Sequence, residues 1–169
     1  MPIPEAREIS NLGGYSDGCA KSHLANGLGI EALKRDFHVL SQSIHHLLKR
    51  LRAARASGTQ SRLLAKVLNA DLLILDDFGL YPMTPQGGQD LYEIISERYE
   101  RGSLIITSNR AFEEWAEVFC NDLLASAALD RLTHHTHTLI IRGDSYRQRS
   151  RRKEVSGTTS ALPADKEAA

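Results

Sequence analysis

Asp71-Leu-Leu-Ile-Leu-Asp-Asp-Phe-Gly79 is the stretch that decides the fold. Residues 72–75 form a continuous aliphatic run, the pattern of a strand covered on both faces by helices. The run ends abruptly on two carboxylates, Asp76 and Asp77. In an open α/β sheet ligands sit beyond the carboxyl ends of the strands, so this pair lies at the edge where a ligand binds. Alternation along the strand aims the two side chains differently.

Moving outward, the same grammar repeats. Downstream, Leu91, Ile94, Ile95 and Tyr99 keep helical spacing over residues 90–99, and Gly102 ends that helix. A second buried run, Leu104-Ile-Ile106, leads into Thr107-Ser-Asn-Arg110. Phe112, Trp115, Ala116 and Phe119 fit a short helix, Leu123, Leu124, Ala127, Ala128 and Leu132 the next, and Thr138-Leu-Ile-Ile141 a last strand. Upstream, residues 37–40 read as a short strand. Ile44, Leu47, Leu48 and Leu51 follow at helical spacing, Gly58 breaks that helix, and Leu63, Leu64, Val67 and Leu68 make another apolar stripe. Further back, Leu24, Ala25, Leu28, Ala32 and Leu33 are spaced to form the sided surface of a helix starting near Ser22. Residues 9–12 offer at best a weak, polar strand. Strands separated by helices imply a parallel, layered α/β sheet. Residues 1–11 read as an irregular lead-in, and residues 150–169, polar and patternless, as a disordered tail.

Composition bounds the function classes. A chain of 169 residues with 41% hydrophobic content suits one domain and one core. Its 21 basic and 21 acidic side chains cancel, but they are laid out in blocks. Residues 37–70 carry Lys49, Arg50, Arg52, Arg55, Arg62 and Lys66 with no Asp or Glu. Residues 142–153 carry Arg142, Arg147, Arg149, Arg151, Arg152 and Lys153 against Asp144 alone. Such blocks suit phosphate contacts without sequence readout, though a solvated basic helix has the same composition. Cys19 and Cys120 give no metal-like pair, so a reducing cytoplasm is the expected setting. No apolar run approaches the roughly 18–20 residues needed to cross a bilayer, which speaks against a membrane protein. His134-His135-Thr136-His137 lacks a carboxylate-bearing metal motif and is read as surface histidine.

With a nucleotide present, Asp76 is placed to hold the water shell of Mg²⁺, and Asp77 to polarise or position the attacking water. A pair of solvated acids opening a loop is the plain alternative. Asn109 can donate to a phosphate oxygen and accept from water, which suits sensing of a terminal phosphate, or it simply caps the turn before Ala111. A working phosphate loop reads Gly-x-x-x-x-Gly-Lys-Ser/Thr; here the segment is Tyr15-Ser-Asp-Gly-Cys-Ala-Lys-Ser22. Lys21 and Ser22 fit, whereas Tyr15 and Ala20 stand where the two signature glycines belong and Asp17 adds negative charge. The loop is expected to bind ATP less well, and the short strand before it threatens the sheet. Alternatively Lys21 and Ser22 only begin a helix.

Taken as a set, several segments resemble the IstB-like ATP-binding family, transposition helper ATPases of insertion sequences related to DnaC-type helicase loaders in the AAA+ group. They are Lys21-Ser-His-Leu-Ala25, Leu72-Leu-Ile-Leu-Asp-Asp-Phe-Gly79, Ile94-Ile-Ser-Glu-Arg-Tyr-Glu-Arg101, Ile106-Thr-Ser-Asn-Arg110, Leu129-Asp-Arg-Leu132 and Ile141-Arg-Gly-Asp-Ser-Tyr-Arg147.

The resemblance spans about residues 12–149 and implies a P-loop NTPase three-layer sandwich with an AAA+ type core over that range. It implies ATP and Mg²⁺ as cofactors. The implied partners are double-stranded DNA bound with little sequence preference, a transposase and further copies of the chain. Residue by residue, Lys21 and Ser22 correspond to the phosphate-loop Lys and hydroxyl, Ser22 and Asp76 to the metal-associated pair, Asp77 to the second acid and Asn109 to the phosphate sensor, while Gly18, with Gly13 and Gly14, is expected to form a differently shaped nucleotide-binding loop. Arg131 resembles the arginine that reaches a neighbouring subunit's nucleotide, or it pairs with Asp130 in its own chain. Lys49, Arg50, Arg52, Arg55, Arg149, Arg151 and Arg152 are the candidate DNA contacts. Members normally carry a further region ahead of the phosphate loop, so a truncated copy is expected. An inactive remnant that keeps a binding scaffold, or a helicase-loader-like ATPase, are the competing functions.

Overall fold

The computed structural model describes residues 9–13, 21–134 and 136–141. Five parallel strands, β1 (Ile9–Gly13), β2 (Val39–Ser43), β3 (Leu72–Phe78), β4 (Ser103–Ser108) and β5 (Thr136–Ile140), form one sheet in the order β2-β3-β4-β1-β5. Parallel neighbours require crossovers, and the helices supply them: α1 (Lys21–Leu33), α2 (Ile44–Ala56), α3 (Gln60–Leu68), α4 (Pro85–Arg98), α5 (Trp115–Phe119) and α6 (Asp122–His134).

The strand period of two splits the aliphatic runs between the faces. Leu73, Leu75, Leu104 and Ile106 join the large core built with Leu47, Leu51, Leu91, Ile94, Trp115, Phe119 and Leu132 of the later helices. Leu72, Ile74 and Ile105 point the other way, onto Ala25 of α1. The result is a three-layer sandwich, and α1 is the helix covering that second face among the described residues.

Several expectations need correction. β1 is not a missing strand: it sits between β4 and β5, paired from Ile9↔Leu104 to Gly13↔Ser108 and from Ile9↔Thr136 to Gly13↔Ile140. A strand inside a sheet is held by two backbone ladders, and those do not depend on side-chain polarity. α1 does not bury its leucines. Ala25 and Gly29 face the sheet, and Leu24, Leu28 and Leu33 stand exposed. The approach is close: a Cβ on Gly29 would lie 2.8 Å from Ile74 Cδ1, so the Ile74 side chain would have to shift.

β2 begins later than residue 37 because Asp71 binds His38 first, its Oδ2 accepting from His38 N–H at 2.7 Å. β2 ends where Ser43 caps α2 by accepting from His46 N–H.

α4 starts at Pro85, ahead of the expected residue 90. Thr84 caps it through Gly87 N–H at 3.1 Å, and Pro85 takes a first-turn position where no intrahelical N–H bond is lost. Gly88, which looks like a helix breaker, is needed for packing: a Cβ there would lie 2.7 Å from the Phe119 carbonyl oxygen. Gly88→Ala is expected to destabilise the fold by about 1–3 kcal/mol through overpacking of α4 against α5, read from the urea midpoint. A change under about 0.5 kcal/mol would show that the two helices separate freely.

Candidate active site

Two elements meet at the carboxyl edge of the sheet. α1 opens with Lys21, buried, and Ser22, half-buried. β3 delivers the half-buried pair Asp76 and Asp77, which lie inside the strand rather than after it. Ser22 Oγ donates to Asp76 Oδ1 at 2.9 Å across 54 residues of sequence. Thr107 on β4, buried, donates its hydroxyl to the same Asp76 oxygen and accepts from Asp77 N–H at 3.1 Å.

Asp77 breaks the strand's regularity. Its φ is 62°, in the left-handed region, and the β3–β4 register shifts between Leu75 and Phe78. Such a bulge re-aims side chains near functional edges, and a non-glycine residue holds it only when its surroundings over-determine it. The surroundings here are a set of hydrogen bonds: Ser108 Oγ donates to Phe78 O at 3.1 Å, Arg110 N–H to Ser108 Oγ at 2.9 Å, and Arg110 Nε to Gly79 O at 3.3 Å. Asn109, half-buried, follows β4 directly at this stapled tip.

A hydroxyl and a carboxylate 2.9 Å apart offer only oxygen donors, the chemistry that Mg²⁺ selects, so the residues present fit that ion. Among the described residues no hydrogen bond reaches Asp76 Oδ2, which leaves one carboxylate oxygen for the edge of the site. Gly18, Tyr15 and Ala20 lie outside the described residues, as do Arg149, Arg151, Arg152 and the 150–169 segment.

Arg131 is not brought into this cluster. Its guanidinium lies 5.2 Å from the centre of the Tyr92 ring and donates to Ala127 O at 2.9 Å, so it packs against α4 instead of pairing with Asp130. His134 meets Tyr99 Oη through Nδ1 at 2.8 Å.

The basic block divides in two. Lys49, Arg50 and Arg52 are exposed on α2, where Arg50 donates to Gln42 at 3.0 Å. Arg50, Arg62 and Lys66 line one groove of about 730 Å³ between α2 and α3, together with Ser57 and Thr59. Arg55 is committed elsewhere: it binds Asp90 at 2.6 Å and Gln60 at 3.1 Å, with the Asp90 side chain only 5% exposed. Arg55→Ala strands a buried carboxylate that keeps Gln86 alone and should cost about 1–3 kcal/mol. Arg52→Ala should stay within about 0.5 kcal/mol. Equal urea midpoints for the two variants would contradict this division.

The residues that sequence reasoning passed over are Thr107, Asp90 and Arg98. Thr107 stood within the quoted strand end, and its position one turn of the pleat before Asn109 was the available signal.

The family model described as IstB-like ATP binding protein matches residues 3–154. An ATP-binding protein assigned to insertion sequence IS21 in Pseudomonas aeruginosa is 38% identical over 146 residues, covering 86% of this chain and 55% of the relative. One assigned to an insertion sequence in Sinorhizobium fredii is 43% identical over 136 residues, covering 80% and 56%. This chain therefore spans about half the length of these curated relatives. A solved DnaC helicase loader superposes with a TM-score of 0.70 at 22% identity, over 83% of this chain and 81% of that one. That likeness shows that the two chains share their fold.

Proposed function

Since the chain belongs to the IstB-like ATP-binding family, we propose that it is an ATP-dependent, DNA-binding accessory protein of transposition that hydrolyses ATP with Mg²⁺ in support of a transposase. The observation that carries the reading is the Ser22–Asp76 contact, which joins the head of α1 to the end of β3. Lys21 faces the phosphates, and Ser22 and Asp76 would hold the ion through oxygen donors. Bound Mg²⁺ supplies charge neutralisation on the phosphates. Asp77 holds the attacking water, Asn109 bonds the terminal phosphate, and Gly18 belongs to the loop that wraps it.

Arg131 serves a neighbouring copy in a homo-oligomer, which requires it to leave Tyr92. Duplex DNA lies along Lys49, Arg50 and Arg52 without base readout, and Arg149, Arg151 and Arg152 add contacts. No described helix is long and apolar enough to cross a membrane.

Equilibrium binding of ATP with and without Mg²⁺, and hydrolysis with and without duplex DNA, test the reading. Absence of binding at millimolar ATP refutes the ATPase and leaves the inactive scaffold, whereas binding shows that Tyr15 and Ala20 are tolerated. DNA affinity across a salt series should fall as salt rises, and Arg52→Ala should reduce the log–log slope by about 0.9. A salt-independent affinity would remove DNA from the proposal.

A further inference from the structure

Thr107 makes the contacts that set the acidic pair in place, and its hydroxyl has only one arrangement available. Asp77 N–H is a donor and nothing else, so Thr107 Oγ1 must accept there, at 3.1 Å. The single Thr107 proton is then directed to the other partner, Asp76 Oδ1. Thr107 is 2% exposed, so water does not compete for these bonds.

Each bond answers a specific need. The Asp77 amide sits at a bulge with φ 62°, where the regular ladder between β3 and β4 is interrupted, and Thr107 Oγ1 is the acceptor it meets there. The Asp76 carboxylate otherwise turns about its last torsion. Two hydroxyls fix Oδ1, but Ser22 is itself a residue that would turn toward an ion. Once it does, Thr107 is the remaining hydroxyl on that oxygen.

We propose that Thr107 is the positioning residue of this site: its hydroxyl holds the Asp76 carboxylate in the orientation that serves Mg²⁺ while anchoring the bulge that aims Asp77. The proposal rests on the nucleotide reading given above and adds to it a residue that touches neither the nucleotide nor the ion.

Thr107→Val keeps the branched shape that suits a strand and deletes the hydroxyl, and Thr107→Ser keeps the hydroxyl. Two measurements separate the roles. In the ligand-free protein, amide exchange of Asp77 should accelerate at least about tenfold in the Val variant and match wild type in the Ser variant. In nucleotide titrations, the gain in ATP affinity on adding Mg²⁺ should fall about 10- to 100-fold in the Val variant, with affinity in EDTA unchanged, and be retained with Ser.

An unchanged Mg²⁺ gain in the Val variant, with a normal gain in wild type, overturns the positioning role and leaves the nucleotide reading standing. No Mg²⁺ gain in wild type overturns that reading and this proposal together. Should the Val variant fail to fold, Thr107→Ala against Thr107→Ser carries the same comparison. Loss of the Mg²⁺ gain in the Ser variant as well would mean that shape, not the hydroxyl, is what matters.

Discussion

Asp77→Asn is expected to lower the rate of ATP hydrolysis by about 10²–10⁴-fold, the usual contribution of a positioned general base. The substitution suits the backbone. Asn is among the few residues that accept the left-handed region, so the φ of 62° is retained, and the bond from residue 77 N–H to Thr107 Oγ1 involves no side-chain atom of that residue. The backbone of the bulge should therefore be kept. Affinity for ATP with Mg²⁺ should change only a few-fold, since the loss is confined to the chemical step. Phosphate release, measured beside a melting curve and a binding isotherm, separates these quantities. Hydrolysis within tenfold of wild type would remove Asp77 from the chemistry and leave it as a bulge residue only.

Arg98→Met should be the most damaging single change to the fold itself, costing about 4 kcal/mol or more against a total stability of about 5–15 kcal/mol. Arg98 ends α4 and is 2% exposed. Nη1 donates to the carbonyls of Val67, Leu68 and Ala70 at 3.2, 3.0 and 2.8 Å, and Nη2 to those of Asp71 and Ser103 at 3.3 and 2.7 Å. The first two are orphan carbonyls at the end of α3, and the others lead into β3 and β4.

Burial lowers the Arg98 pKa from its usual value and the nearby Asp71 raises it; an arginine stays protonated at neutral pH through such a shift. Methionine fills similar space but donates nothing, so five carbonyls lose this donor together, and of these Asp71 O keeps the Ser103 N–H. A urea midpoint giving a loss below about 1 kcal/mol would show that water replaces the guanidinium. Because these carbonyls flank the strand that carries Asp76 and Asp77, the same variant should also weaken ATP binding.

The layered α/β character was legible from residues 72–75 and 104–106, because a short aliphatic run between amphipathic helices has few other uses. Ser22, Asp76 and Asp77 were legible as candidates, and the structure brings Ser22 to Asp76 and places Asp77 beside it. Other features were hidden for identifiable reasons. β1 looked too polar because side-chain patterning says nothing about a strand held by backbone ladders on both sides. The leucines of α1 misled because leucine spacing cannot reveal how closely a helix approaches its sheet. Nothing in its local sequence set Arg98 apart, and Arg55 read as one more cation in a basic block. The carbonyls and the Asp90 carboxylate that claim them come from distant segments.

By itself, then, the sequence determined what is local: periodicity, strand ends, and the chemistry carried by residues 21–22, 76–77 and 107–110. Tertiary structure alone decided which of those groups meet. It turned Thr107 into the partner of both acids, set Asp77 in a bulge, gave Arg55 to Asp90 and placed Arg131 over Tyr92. The physical reason is range. Backbone preference and hydrophobic period act over a few residues, but a hydrogen bond needs atoms within about 3 Å, and only the folded chain brings residues 22, 76 and 107 that close.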